Sequence, residues 1–292
     1  MRVTKNTLDF DVTAKIEKAM GASIASATSL GGGCVADVKR IVLDDGRQAV
    51  AKIAKPKEDN GFEIEGFMLN YLAEKTSLPT TKVFYCDENL LVVEYIEVSG
   101  TTSKLVEESC AEHLANLHNI TSDKYGFEKD TLVGGLLQPN DWQKNWLDFF
   151  INQRLLYMAK VAFENGSLPI SVMRKVELLA TKINNLIDTP EKPSLIHGDI
   201  WTGNVLYRNG NVVAFIDPAL YFADPDIEFC FATVWSSFGD AFFNRYKEIR
   251  PIRDGFDMRR EIYNLYPLLV HTRLFGVSYA FLVDKTVSKY VD

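Results

Sequence analysis

Asp199 and Asn204 lie five residues apart behind His197, and Asp217 follows thirteen residues after Asn204 at the end of a short apolar segment. An aspartate, an asparagine and a second aspartate in this order suit phosphoryl transfer. The first carboxylate orients an attacking hydroxyl and takes its proton, while the other two side chains hold Mg2+ against the phosphates of ATP. Magnesium prefers hard oxygen ligands and takes few of them from protein. Each residue alone would read as a turn or cap, so the signal lies in their order and spacing. The same chemistry needs a cover for the phosphates and a lysine that reaches them. Gly31-Gly32-Gly33-Cys34 offers the cover, because glycine lets backbone N–H groups close on an anion. No Gly-Lys-Ser/Thr follows, so this is not a P-loop. Lys52, flanked by Ala51 and Ile53 in a β-rich stretch, is the lysine expected on the phosphates, with Glu65 as the carboxylate that orients it. Lys55 and Lys57 flank Pro56 beyond that stretch and read as loop charges. Glu63, the alternative to Glu65, points about 160° away around a helix.

These residues must be positioned by short strands and a helix. Residues 35–43 and 48–54 are β-rich and flank Asp44-Asp45-Gly46-Arg47, a hairpin signal. Residues 62–72 carry an amphipathic helical pattern, and 81–85 and 90–96 read as two further strands. Up to about residue 98 the chain thus reads as strands around one helix. Beyond about residue 104 helical patterns dominate, over 106–118, 142–163 and 171–187. Within this half, His197 to Asp199, the Asn209-Gly210 turn and the segment ending at Asp217 describe a hairpin bracketed by two carboxylates, a placement that aims them into a cleft. The expectation is an α+β chain of two lobes: residues 1–98, small and built on an antiparallel sheet, and residues 99–292, larger and mainly helical, joined near 94–100.

Composition narrows the partners. The chain has 292 residues, 47% of them hydrophobic, and a formal net charge of -7. An acidic balance argues against nucleic acid, whose phosphates attract a clustered basic surface. No apolar run approaches the roughly 18 residues of a membrane span, and no apolar stretch follows the first charged residues as in a secretory signal. A cytoplasmic protein is expected. Cys34, Cys86, Cys110 and Cys230 are widely spaced, which fits free thiols better than a disulfide framework or zinc site. His113 and His118 diverge by roughly 140° on a helix and would not share a metal.

With these motifs in hand, the chain resembles the fructosamine kinase, or ketosamine-3-kinase, family, relatives of aminoglycoside and choline phosphotransferases. The pieces that carry the resemblance are Gly31 to Cys34, Phe62-Glu63-Ile64-Glu65, Tyr125-Gly126-Phe127 leading to Gln138-Pro139-Asn140, Trp142 through Arg154, His197 through Asn204, and Ile216-Asp217-Pro218-Ala219. Tryptophan after the catalytic aspartate and the Gln-Pro-Asn segment point to this family in particular. The resemblance implies a protein-kinase-like fold and ATP-dependent phosphorylation of O3 of a ketosamine, free or protein-bound. It further implies Asp199 as catalytic base, Asn204 and Asp217 as Mg2+ ligands, Lys52 and Glu65 as the phosphate-side pair, and Glu94, Tyr95 and Ile96 as the linker that meets adenine. Trp142, Trp146 and Trp201 are candidates for an aromatic wall on the sugar, Trp201 foremost because it lies two residues from Asp199, while buried helix packing explains Trp146 equally well. Cys34 is a candidate redox switch, since oxidation or a disulfide with a second subunit would displace the glycine-rich loop; a monomer or a redox-dependent dimer is expected. The chain departs from the family after the Mg2+ aspartate. Glu228, with its longer reach, stands where the family has an aspartate, which puts the support of the catalytic loop in question.

Overall fold

Along residues 48–54, Ala49, Ala51 and Ile53 turn to one face and Val50 and Ala54 to the other, which puts Lys52 on the second face. That alternation sorts the first lobe into layers. The computed structural model describes residues 8–31, 36–55, 61–235 and 237–291. The first lobe comprises α1 (Phe10–Met20), β1 (Ile24–Ser29), β2 (Ala36–Leu43), β3 (Gln48–Ala54), α2 (Phe62–Lys75), β4 (Val83–Cys86) and β5 (Leu90–Glu94). Its strands form one antiparallel sheet in the order β1-β2-β3-β5-β4. Ile16 and Met20 of α1 cover the face with Ala49 and Ala51, and Phe62 and Leu69 of α2 cover the face with Val50.

The expectation of a single helix in this lobe is corrected by α1. Asp9 caps it by accepting from the Asp11 N–H at 2.9 Å, and Gly21 ends it in a left-handed conformation. Val12, Ile16 and Met20, at i, i+4 and i+8, form its apolar stripe against the sheet, Val12 partly buried and the other two buried.

The second lobe runs through α3 (Lys104–Leu117), β6 (Thr131–Val133), β7 (Leu136–Gln138) and α4 (Trp146–Phe150), which continues through a π turn at Ile151–Leu155 into α5 (Leu156–Glu164). Next come α6 (Ile170–Lys182), β8 (Ser194–Ile196), β9 (Val205–Arg208), β10 (Asn211–Phe215) and β11 (Tyr221–Ala223). Helices α7 (Phe229–Val234), α8 (Asp240–Ile249), α9 (Phe256–Tyr263), α10 (Leu265–Phe275) and α11 (Val277–Val291) complete it. Three two-stranded pairs, β6–β7, β8–β11 and β9–β10, lie among these helices. The β9–β10 hairpin turns on Asn209 and Gly210, both at positive φ, as an Asn-Gly pair favours. The helix expected from residue 142 begins instead at Trp146, where the Asn145 side chain accepts from the Leu147 N–H at 2.8 Å. Among the described residues no helix is long and apolar enough to cross a membrane.

Helix α2 belongs to both lobes. Met68 and Leu72 enter the core of the second lobe, and Tyr71 meets the Phe127 ring edge-on at 4.9 Å. The helix that carries Glu65 is therefore registered against the second lobe by packing, independently of any charged contact.

Trp146 is fully buried, stacks on Phe149 and Phe150, and donates from Nε1 to the Tyr263 hydroxyl at 2.6 Å. It is a core residue, so of the three candidate tryptophans Trp142 and Trp201 remain for the sugar. Trp146→Ala should lower the unfolding free energy by about 3–5 kcal/mol, the range for deleting a large buried aromatic, as read from the midpoint of denaturant unfolding.

Candidate active site

Strand β8 delivers His197-Gly198-Asp199 to the cleft, and Gly198 makes that delivery possible. Its φ is +87°, and a β-carbon there would sit 2.1 Å from the carbonyl oxygen of Ala219. The Ala219 N–H donates to the His197 carbonyl at 2.7 Å, so the loops bearing Asp199 and Asp217 cross in direct contact. After Asp199 the chain makes a 3-10 turn at Thr202–Asn204. The ring of Trp201 folds over Gly203, close enough that a β-carbon would meet ring carbons at 2.2 Å, and remains 39% exposed beside Asp199. Asn204 Nδ2 donates to both the main-chain oxygen and Oδ2 of Asp199, each at 2.8 Å. That bonding fixes the amide's orientation and turns its carbonyl oxygen away from Asp199.

Glu228 holds this loop from behind. Its buried carboxylate accepts from the His197 N–H at 2.5 Å and the Gly198 N–H at 2.8 Å. The longer side chain spans the gap and satisfies two adjacent amides at once. His118 backs it, with Nε2 3.4 Å from Glu228 and Nδ1 2.7 Å from the Tyr246 hydroxyl. Burial lowers the His118 pKa, which favours the neutral ring; Tyr246 then donates to Nδ1 and Nε2–H faces the carboxylate.

Lys52 closes the site from the other lobe. Its Nζ lies 2.6 Å from Glu65 Oε1 and contacts Oδ1 of Asp217 directly. Glu65, not Glu63, is the carboxylate that α2 turns to the lysine. Asp217 is left-handed, φ +55°, and its side chain is 44% exposed. Asn204 and Asp217 together offer oxygen donors of the kind Mg2+ accepts. Among the described residues no three His, Cys, Asp or Glu side chains converge as a self-sufficient metal cage. A cation here would complete its shell with phosphate and water, as magnesium does.

The other expected site residues are less tightly grouped. Gly31 is exposed in a turn after β1, and Gly32, Gly33 and Cys34 lie outside the described residues. Glu94 ends β5, donating its N–H to the Lys82 carbonyl at 2.8 Å. The Tyr95 ring lies 4.5 Å beneath the Arg40 guanidinium, and Ile96 is half-buried on the way to α3. Trp142 is 41% exposed and packs 6.1 Å from Phe222, on the loop before α4. Cys86, Cys110 and Cys230 carry free thiols.

A family model described as fructosamine kinase matches residues 9–292. This chain belongs to the fructosamine kinase family. A chloroplastic protein-ribulosamine 3-kinase of Arabidopsis thaliana is 28% identical over 279 residues, which cover 92% of this chain and 83% of that protein. A candidate fructosamine-3-kinase from Thermobifida fusca superposes with a TM-score of 0.84 at 27% identity, over 95% of this chain and 97% of the other. An ADP-bound aminoglycoside phosphotransferase superposes with a TM-score of 0.67 at 18% identity, over 98% and 100% of the two chains, and shares the kinase-like fold.

In this fructosamine kinase family member, electrostatics distinguishes the carboxylates. Burial pushes Asp199 up to about 8, repulsion from Asp217 adds to it, and the hydrogen bond from Asn204 opposes both. Burial disfavours the Lys52 ammonium, but the carboxylates of Asp217 and Glu65 outweigh it and hold the lysine above its ordinary pKa. Glu65 is raised by burial, with Lys52 offsetting only part of that effect.

His118 and Tyr246 were invisible to motif reasoning. His118 follows the end of α3 and Tyr246 lies in α8, 110 and 18 residues from Glu228 in sequence, and neither carries a local sign of such a partner.

Two outcomes follow from this geometry. Glu228→Gln replaces one acceptor with an NH2 group facing a backbone N–H, and should lower kcat by about 10²-fold through displacement of Asp199, with little change in far-ultraviolet circular dichroism. For Asp199, the ordinary aspartate value is 3.8 and the folded value about 8, so across that window the folded site keeps a proton that the unfolded chain releases, and stability falls as pH rises. Without metal or nucleotide, Asp199→Asn should therefore melt above the parent protein at pH 8, by a margin that shrinks toward pH 4.

Proposed function

We propose that this protein is an ATP-dependent kinase that phosphorylates the O3 hydroxyl of a ketosamine of fructosamine or ribulosamine type, small or protein-bound, and so serves protein deglycation in the cytoplasm. The observation that carries the reading is the convergence of Lys52, Glu65 and Asp217 across the lobes beside the Asp199–Asn204 pair, in a chain of the fructosamine kinase family. Residues 1–98 then act as the lobe that covers the nucleotide, with Gly31 to Gly33 over the phosphates and Glu94 to Ile96 along adenine. Residues 99–292 supply catalysis and the acceptor site.

Asp199 has one oxygen, Oδ2, engaged by Asn204. Oδ1 is left for the acceptor hydroxyl, which it orients and from which it takes the proton as oxygen attacks the terminal phosphorus and ADP departs. Lys52, oriented by Glu65, grips the phosphates from the opposite side. Asn204 and Asp217 would hold Mg2+, which when bound neutralises charge on the phosphate oxygens. The exposed face of Trp201, and Trp142 further out, would pack against the sugar.

The test is ADP release with fructosamine, ribulosamine and erythrulosamine substrates, run beside an aminoglycoside. Turnover is expected on at least one ketosamine, to vanish with EDTA, and to fall by about 10²–10⁴-fold in Asp199→Asn while ADP binding is kept. Turnover on the aminoglycoside alone would refute the assignment.

A further inference from the structure

The inward face of the β6–β7 hairpin carries two polar side chains sealed from water beside the apolar Val133 and Leu136. Thr131 and Gln138 are fully buried, and Asn140 just beyond them is 1% exposed. Apolar side chains would fill this space at lower cost unless the polar groups hold something in place.

The hydrogen bonds run in one direction. Arg154, buried in the π turn with its guanidinium 3.8 Å over the Tyr221 ring, donates to Asn140 Oδ1 at 2.5 Å and to the Pro139 carbonyl at 2.6 Å. Asn140 Nδ2 donates to Thr131 Oγ1 at 2.8 Å, and the Thr131 hydroxyl donates to the Leu220 carbonyl at 3.2 Å. In parallel the Tyr266 hydroxyl donates to Gln138 Oε1 at 2.6 Å, which orients the amide, and Gln138 Nε2 donates to Thr131 Oγ1 at 2.8 Å and to the Ala219 carbonyl at 3.1 Å. Two chains of donors thus end on consecutive carbonyls, two and three residues beyond Asp217.

Asp217 needs such support. It bears a β-carbon, stands before Pro218, and is held at φ +55°, a region that such residues occupy only where the surroundings over-determine it. Upstream, the Ile216 N–H donates to the Asn204 carbonyl at 3.1 Å. Downstream, the Ala219 N–H is taken by His197, and the Leu220 N–H points to the Met68 sulfur of α2 at 3.4 Å. The carbonyls of the same two residues are the ones the hairpin takes.

We propose that Gln138 and Thr131 are positioning residues for Asp217: their grip on the Ala219 and Leu220 carbonyls keeps the aspartate in the left-handed conformation that sets its carboxylate against Lys52 and toward the metal–nucleotide. This rests on reading Asp217 as a metal ligand. The role accounts for the placement of the Gln138-Pro139-Asn140 segment in the fold without giving it contact with either substrate.

The experiment measures binding of Mn2+ to the full-length protein in the presence of ADP, from the loss of the free Mn2+ resonance, beside binding of ADP alone. Thr131→Val and Gln138→Met should weaken Mn2+ binding on the order of tenfold, as expected for a lost buried hydrogen bond, and leave metal-free ADP binding unchanged. Thr131→Ser, which keeps the hydroxyl, should restore most of the affinity. Leu136→Ala loosens the apolar packing of the same hairpin without touching the polar chains, and should bind Mn2+ like the parent. If Gln138→Met does not fold, the Thr131→Val and Thr131→Ser pair decides the matter. Parent-like Mn2+ binding in Thr131→Val, or an equal loss in Leu136→Ala, would overturn the positioning role. Failure of the unmodified protein to bind Mn2+ with ADP would overturn the kinase reading of the site, and this role with it.

Discussion

At Gly198 the loop bearing Asp199 presses on the Ala219 carbonyl of the loop bearing Asp217, with space for a hydrogen but none for a methyl group. That contact makes the two loops one body. The Ala219 N–H is spent on His197, so the remaining donors of the crossing, the His197 and Gly198 amides, face the opposite way and need an acceptor deep in the lobe. Glu228 is that acceptor. Asp199 and Asp217 are consequently placed relative to each other by main-chain contacts, and the first lobe has only to bring Lys52 onto Asp217.

The segment that carries Glu228 is itself anchored at alternate residues. Asp224 binds Arg253 and accepts from the Tyr263 hydroxyl at 2.8 Å, the same tyrosine that receives the Trp146 N–H. Asp226 pairs with Arg259 at 2.7 Å; burial and the neighbouring Asp224 push it up to about 6, against the pull of that arginine. Buried ion pairs of this sort contribute little net stability, because desolvation consumes most of the Coulombic gain. Their effect is geometric. Asp224 and Asp226 tie the segment to the α9 region, leaving Glu228 free to face the catalytic loop, so rigidity passes from the helical base of the lobe to the floor of the cleft.

The parts of the site legible in sequence were those whose geometry is local. Asp199 and Asn204 share one turn, Asp217 ends the next hairpin, and helical phase alone separates Glu65 from Glu63. Lys52 was readable because strand alternation fixes the face it points to. Of the supports only Glu228 was singled out, through the family resemblance; its partners His118 and Tyr246 lie far away in the chain, and Thr131 grips a carbonyl 89 residues away. No periodicity records such contacts. Helix α1, by contrast, does carry a local signal, with Val12, Ile16 and Met20 at helical spacing. Trp146 stayed open between sugar and core because an aromatic beside a suspected site and an aromatic in a core look alike until burial is known.

Charge at the cleft accounts for the one uncharged member of the set. Lys52 faces Glu65 and Asp217 at once, and Asp199 lies close enough to Asp217 to feel its charge. With Asp199 ionised, as its role as base requires, one ammonium among three carboxylates leaves that corner short of positive charge, and a triphosphate would deepen the shortfall unless it arrived with its own cation. A fourth carboxylate at position 204 would worsen the balance and repel Asp199. An asparagine avoids both effects: its carbonyl oxygen can bind a hard cation without adding charge, and its two amide hydrogens hold Asp199 at 2.8 Å, where a carboxylate could only push it away.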